Sequence, residues 1–325
     1  MARGSFIISL DFELHWGLRD VVSVDEKKDY FLRARDAIPE VLRMFKEYEV
    51  HATWAAVGFL FARNKQHLLD HMPILLPNYA KQRLDPYAFL DEIGDDERSD
   101  PFHYAPSLLN AIAKVSGQEI ASHTFSHYYC LEEGQTEQAF EADLRAAAAI
   151  GEPFGKVTNA LVFPRGQYNA AYDSALRRVG VRAYRVPPSL YPYRPRRADD
   201  ENLVQRGLRL LDSYVPICRA PATRSTADAS GAVPLHAGLF LRPYSRPRRR
   251  AEAIRVKRIT RAMAVAAQCK DDFHLWWHPH NFGHYTRENL TVLGEVLSEY
   301  RVLREHYGWP SHTMGEAAQE GRKQA

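Results

Sequence analysis

A short apolar strand that runs directly into two carboxylates constrains this chain more than any other stretch. Phe6-Ile-Ile-Ser-Leu10 is apolar apart from Ser9 and rich in β-branched residues, which predicts a buried strand, and Asp11-Phe-Glu13 follows at once. Alternate residues of a strand share a face, so Asp11 and Glu13 point the same way. Two carboxylates at the end of a buried strand are costly unless they are paired, hydrogen-bonded or bound to a metal. The competing reading is the start of a solvated loop.

The same design recurs along the chain. Val50–Val57, Gln118–Ser122, Asn159–Phe163, Val181–Val186 and Phe273–Trp277 are further short apolar runs that read as strands. Between them lie helical stretches. Asp29–Tyr48 carries Phe31, Ala34, Ile38, Val41, Leu42 and Phe45 on one stripe, and Thr136–Ile150 is alanine-rich with Glu137 and Glu141 near its start. Gly58–His71, Ser107–Val115, Ala170–Val179, a stretch near Leu203–Tyr214, the residues from about Arg250 onward and Thr286–His306 complete the helical set. Strand–helix alternation predicts a parallel α/β architecture. Polar residues at successive strand ends fit a barrel with its active site at the carboxyl-terminal face.

Two stretches break the rhythm: residues 73–106, with five prolines, and residues 187–235. Long excursions of this kind are often lids or binding loops. The first holds Tyr79, Tyr87, Phe89, Phe102 and Tyr104 among acids, where packing is the expected role for each ring, with stacking on sugar faces the alternative. The whole chain, 1–325, reads as one catalytic domain with these two insertions. At 45% hydrophobic residues it can fill a core, and a net charge of +3 is too small to imply a nucleic-acid partner. Cys130, Cys218 and Cys269 have neither disulfide nor metal spacing, no run is long enough to span a membrane, and no apolar leader precedes Phe6. A cytoplasmic location is expected. Gly315–Ala325 reads as a polar, frayed tail.

Four groups of chemically useful residues fall at predicted strand ends: Asp11 with Glu13, His123 with His127, Arg165, and His278 with His280. Two imidazoles four residues apart can reach one divalent ion and leave positions for a carboxylate and water. With fourteen histidines in the chain, a His-x-x-x-His pair by itself is weak, and two surface histidines would look the same. Its company gives it meaning. A strand-end histidine is also a natural proton donor near neutral pH. Separately, Arg242–Arg261 holds nine Lys or Arg among twenty residues. That is either a solvated helix face or a docking surface for phosphate-bearing substrate, such as a lipid-linked saccharide at a membrane.

The order of these groups resembles the polysaccharide deacetylase family, the NodB-homology or fourth carbohydrate esterase family, over Phe6 to about Phe282. His123-Thr-Phe-Ser-His127 matches the family's His-[Ser/Thr]-x-x-His motif. Ser9-Leu-Asp-Phe-Glu13 departs from the usual adjacent aspartates and is similar to a variant branch with Asp-x-Glu, and Pro164-Arg165 inverts the usual Arg-x-Pro order. The resemblance implies a distorted (β/α) barrel of about seven parallel strands. It implies a divalent metal, Zn2+ first, on Glu13, His123 and His127, with Asp11 as base, Arg165 pairing with Asp11, and His278 as acid with His280 in reserve. The roles of Asp11 and Glu13 are exchangeable on sequence grounds. The implied activity is removal of an N-acyl group, acetyl first, from a sugar or lipid-linked saccharide in surface polysaccharide or lipopolysaccharide assembly. Deformylation of formamido sugars, ureide hydrolysis as with allantoin, and non-catalytic saccharide binding are the alternatives.

Overall fold

The computed structural model describes residues 4–188, 190–200, 202–217, 226–228 and 231–323. Among the described residues nine strands form one sheet: β1 (Phe6–Phe12), β2 (Ala52–Ala56), β3 (Gln118–Ser122), β4 (Ala160–Val162), β5 (Ala183–Val186), β6 (Val233–His236), β7 (Leu239–Phe240), β8 (Phe273–Trp277) and β9 (Ser311–His312). Their order is β6-β5-β4-β3-β2-β1-β8-β7, with β9 added beside the start of β1, and every pairing is parallel.

The two ends of that path are one piece of chain. Ala237 N–H donates to Val186 O of β5 at 2.8 Å, and the next residue, Gly238, donates to His274 O of β8 at 2.9 Å. β6 and β7 are therefore halves of one bent strand that leaves β5 and joins β8, closing the sheet into a seven-stranded barrel. Glycine is required at the crossing because a Cβ on Gly238 would lie 2.5 Å from the His274 carbonyl oxygen. The expected distorted (β/α) barrel is the observed fold.

The helices are α1 (Val24–Glu47), α2 (Lys65–Leu69), α3 (Pro106–Ala113), α4 (Glu137–Ile150), α5 (Asp173–Val179), α6 (Leu203–Asp212), α7 (Glu252–Cys269), α8 (Thr286–Tyr307) and α9 (Met314–Arg322). The period of two in β1 assigns its faces. Phe6, Ile8, Leu10 and Phe12 point outward into the main core, with Ile38, Val41 and Phe45 of α1 and Leu293, Val296 and Leu297 of α8. Ile7 points inward, with Ala55, Ala121, Val162, Ala183, Val233 and Leu235.

Three expectations change. The supposed frayed tail is α9, which carries Met314, Ala317 and Ala318 into the inner cluster and plugs the amino-terminal end of the barrel. Half-buried Glu119 secures it, accepting from Thr53 Oγ1 at 2.7 Å and from Gly315 N–H at 3.1 Å. The reading missed α9 because its short apolar stripe is mostly alanine. Gly58–His71 is a 3-10 turn, Gly58–Phe61, followed by α2, which restarts where the Asn64 side chain caps the His67 N–H. The basic helix starts at Glu252, after a 3-10 turn over Arg246–Ala251.

The first excursion buries Tyr79, Leu84, Leu90, Ile93 and Tyr104. Much of the second holds α6; Cys218 and the rest of 218–225 lie outside the described residues.

Candidate metal and catalytic site

Asp11 sits in the last turn of pleat of β1, and Glu13 lies just beyond it, where the chain bends into a 3-10 turn, Leu14–Gly17. That bend folds the Glu13 side chain back over Gly17. A Cβ on Gly17 would lie 2.0 Å from the Glu13 carboxyl carbon, so the glycine makes the space the carboxylate fills.

His123 and His127 hang from the loop after β3, and Thr124 and His127 both adopt left-handed backbone, with φ of 64° and 60°. Such conformations cost about 1–3 kcal/mol each and persist only where surroundings enforce them. Asp143 of α4 does much of the enforcing. Its buried carboxylate accepts from the backbone N–H of Phe125 at 2.6 Å and of Ser126 at 3.2 Å, and from the Ser126 hydroxyl. The Thr124 hydroxyl takes the Tyr128 N–H at 2.7 Å.

Glu13, His123 and His127 then converge. Their potential ligand atoms all lie within 4.8 Å of one another. Glu13 Oε2 is 3.2 Å from His123 Nε2 and 3.0 Å from His127 Nε2. His123 Nδ1 is 2.9 Å from the Val162 carbonyl, which only an N–H can satisfy, so in the neutral ring the Nε2 lone pair faces Glu13. Burial pushes His127 down to about 4, so that ring is neutral near pH 7. Burial alone would raise Glu13, but the neighbouring imidazoles, His278 foremost, hold it well below the usual carboxylate range. An ionised carboxylate facing two imidazole nitrogens in a buried pocket is a donor set that fits a divalent cation.

Asp11 has a different partner. Arg185 of β5 reaches across the barrel and donates from both terminal nitrogens to the two Asp11 oxygens, each at 2.6 Å. It also donates to Ser9 Oγ at 2.9 Å, and Ser9 Oγ is 2.8 Å from His274 Nε2. The guanidinium lies 4.3 Å over the Trp276 ring. Burial would raise Asp11; Arg185 and then His278 overcome it, and the carboxyl ends below its ordinary value.

The expected pairing of Asp11 with Arg165 is therefore corrected. Arg165 leaves β4 in a left-handed turn (φ 54°), donates to Asp20 at 2.6 Å and covers the Tyr129 ring at 4.8 Å. It stands beside the site, since Tyr129 packs 5.1 Å from His127, but it does not hold Asp11. Arg185 was legible in principle: Ala183 and Arg185 share the inward face of a buried strand, where a cation must find an anion. Asp143 carried a similar signal, an acid on the apolar stripe of Phe140, Leu144 and Ala147.

His278 Nε2 lies 3.7 Å from Asp11 Oδ2 and 3.7 Å from Glu13 Oε1, with its side chain 26% exposed at the mouth. His280 Nδ1 lies 3.9 Å from Glu13 Oε1, but that ring is buried and its pKa falls to about 3. Phe240 and Trp276 flank His278 at 5.7 and 5.8 Å between ring centres.

A parallel barrel with carboxylates, imidazoles and an arginine gathered at the carboxyl ends of its strands defines a (β/α) barrel protein with a polar site at its carboxyl-terminal mouth. Residues 23–184 match the family model described as polysaccharide deacetylase, and the chain belongs to that family. Membership supports a carbohydrate deacetylase acting on an acetylated saccharide. The matched span includes His123, His127 and Arg165 and leaves out Asp11, Glu13, Arg185 and His278. The sequence matches none of the curated proteins. Among solved structures, a protein from Mycobacterium smegmatis assigned as a polysaccharide deacetylase superposes with a TM-score of 0.61 at 13% identity, covering 100% of this chain and 94% of that one. One from Pseudomonas aeruginosa PAO1 with the same assignment gives 0.53 at 10%, covering 97% and 89%. The 4-alpha-glucanotransferase of Thermococcus litoralis gives 0.54 at 12%, covering 98% of this chain and 40% of that one. At these identities the likeness is one of fold.

Proposed function

We propose that the chain is a metal-dependent amidohydrolase that removes an N-acetyl group from a sugar. The observation that carries this reading is the convergence of Glu13, His123 and His127 within 4.8 Å, beside an arginine-clamped Asp11 and opposite His278. Zn2+ is the first expectation for this ligand set. A divalent cation bound there supplies Lewis acidity toward the amide carbonyl and acidifies water.

The protein's own groups supply the rest. Arg185 keeps Asp11 ionised and oriented, so that Asp11 can take a proton from the attacking water. His278, near both carboxylates and open to the mouth, gives a proton to the departing amine nitrogen. His280, held neutral by burial, is unsuited to that donation at neutral pH. Each acid–base contribution is worth about 10²–10⁴-fold. Phe240 and Trp276, both half-buried, wall one side of His278. The setting proposed for this reaction is intracellular assembly of a surface polysaccharide.

The test measures acetate release from N-acetylated sugars alongside bound metal. Asp11→Asn and His278→Ala should abolish turnover while keeping about one divalent ion per chain. Formate or ureide products would replace the acetyl reading. A protein that takes up no metal and turns over nothing would sink it.

A further inference from the structure

Helix α6 is built inside out. Its buried residues are Gln205 and Asp212, while Leu203, Val204 and Leu211 stand 81%, 64% and 49% exposed. At 100° per residue those three fall within one 100° arc, with Gly207 between them, so they form a single apolar stripe turned to solvent. The polar side faces the protein. Asp212 accepts from Arg258 of α7 at 2.8 Å and from the Tyr193 hydroxyl at 2.7 Å. Val215 and Ile217, just past the helix, are also exposed and extend the apolar surface.

Cations border this stripe. Arg242 donates to Ser213 Oγ at 2.6 Å and is close enough to both Arg209 and Arg248 for their charges to act on it. Arg246, Arg248, Arg249, Arg250, Lys257 and Arg261 are exposed, and among the described residues none of them is in an ion pair. The only acid between Arg242 and Lys270 is Glu252, which is buried against Arg255. The surface also lies on the rim of the site. The segment follows β7, whose Phe240 packs on His278, and Arg242 lies 5.8 Å over the Phe240 ring.

We propose that α6 and the Arg246–Arg261 cations dock the barrel mouth onto an anionic lipid surface. An apolar helix face bordered by a dense cationic cluster suits the interface of a bilayer, where the stripe sinks to the acyl boundary and the cations meet headgroup phosphates. A second copy of the chain would bring the same cations face to face and be repelled. Docking does not depend on the deacetylase reading. Taken with that reading, it makes the substrate a sugar carried on a lipid, presented from the membrane to the mouth.

The experiment is cosedimentation of the full chain with vesicles of phosphatidylcholine alone or mixed with phosphatidylglycerol, at low and high salt. Binding to the mixed vesicles alone, released by salt, is expected. The triple variant R248E/R249E/R250E should bind roughly a hundredfold more weakly, and L203S/V204S/L211S at least about tenfold more weakly. Unchanged thermal melts show that both variants are folded. Wild-type protein that ignores anionic vesicles, or variants that bind as well as wild type, would overturn the proposal. So would self-association, or capture by an acidic protein partner, abolished by the α6 variant in the absence of vesicle binding. Vesicle binding without hydrolysis of any N-acetyl sugar counts against the function alone, and hydrolysis of soluble sugar without vesicle binding counts against the docking alone.

Discussion

Arg185 and Asp11 face each other across the barrel, guanidinium to carboxylate, through two bonds of 2.6 Å. The pair joins strands that are four places apart in the sheet, β1 and β5, and it is buried on both sides. Its geometry holds Asp11 ionised with its oxygens fixed. An acceptor for a proton from water needs both properties.

Removing the guanidinium should therefore change titration as well as rate. Burial raises Asp11 and Arg185 lowers it, so in Arg185→Ala the carboxyl pKa rises and the acidic limb of the pH–rate profile moves to higher pH. A folded-state pKa below the unfolded value contributes stability above the unfolded pKa, lost as pH falls through the folded one. The variant should lose that contribution and about 3–5 kcal/mol for the unpaired buried charge. Arg185→Lys should keep the fold and lower kcat. Arg165→Ala should leave the acidic limb in place, because Arg165 is tied to Asp20.

Gly17 gives a test of the metal shell that touches no ligand. Its absent Cβ is replaced by the Glu13 carboxylate, 2.0 Å from where a methyl would sit. Gly17→Ala should displace Glu13 and lower metal affinity by about 10–100-fold, as changes just outside a metal shell do. Metal content after dialysis, read beside an unchanged circular dichroism spectrum, measures it.

Asp143 braces the histidine loop from behind. Burial raises its carboxyl to about 6, against the pull of Ser126 and Phe125 donors. A raised carboxyl holds its proton more tightly in the folded state. Its contribution to stability therefore declines as pH rises from about 4 to about 6 and is flat above that. Asp143→Asn should remove this slope from urea unfolding free energies measured across that range. It should also cost about 1–3 kcal/mol, because the Phe125 and Ser126 N–H groups bond different oxygens of Asp143 and the amide nitrogen must now face one of them. Metal affinity should fall with it.

Closure of the barrel rests on Gly238. Gly238→Val puts a side chain against the His274 carbonyl, 2.5 Å from the Cβ position, and should lower the melting temperature. The loss should exceed that of Gly207→Val on α6, where a Cβ meets nothing within 4 Å.

Much of the architecture was written locally. β1, β3, β8 and α4 fall where apolar period and caps put them, and the histidine loop follows β3 as expected, because these signals depend on residues within one turn or one strand of each other. α9 was not legible, since one methionine and two alanines read as a helix only once a barrel end needs a plug. The candidate site divides the same way. Asp11, Glu13, His123, His127 and His278 announced themselves by residue type at strand ends. The arginine that holds Asp11 did not, and a strand-end rule chose Arg165. Strand ends fix which residues reach the mouth, but which two of them touch depends on strand order, on the inward or outward phase of each strand and on where the sheet closes. Only tertiary structure decided that Arg185 points in, that Arg165 turns away to Asp20, and that residues 174 apart in sequence lie 2.6 Å apart.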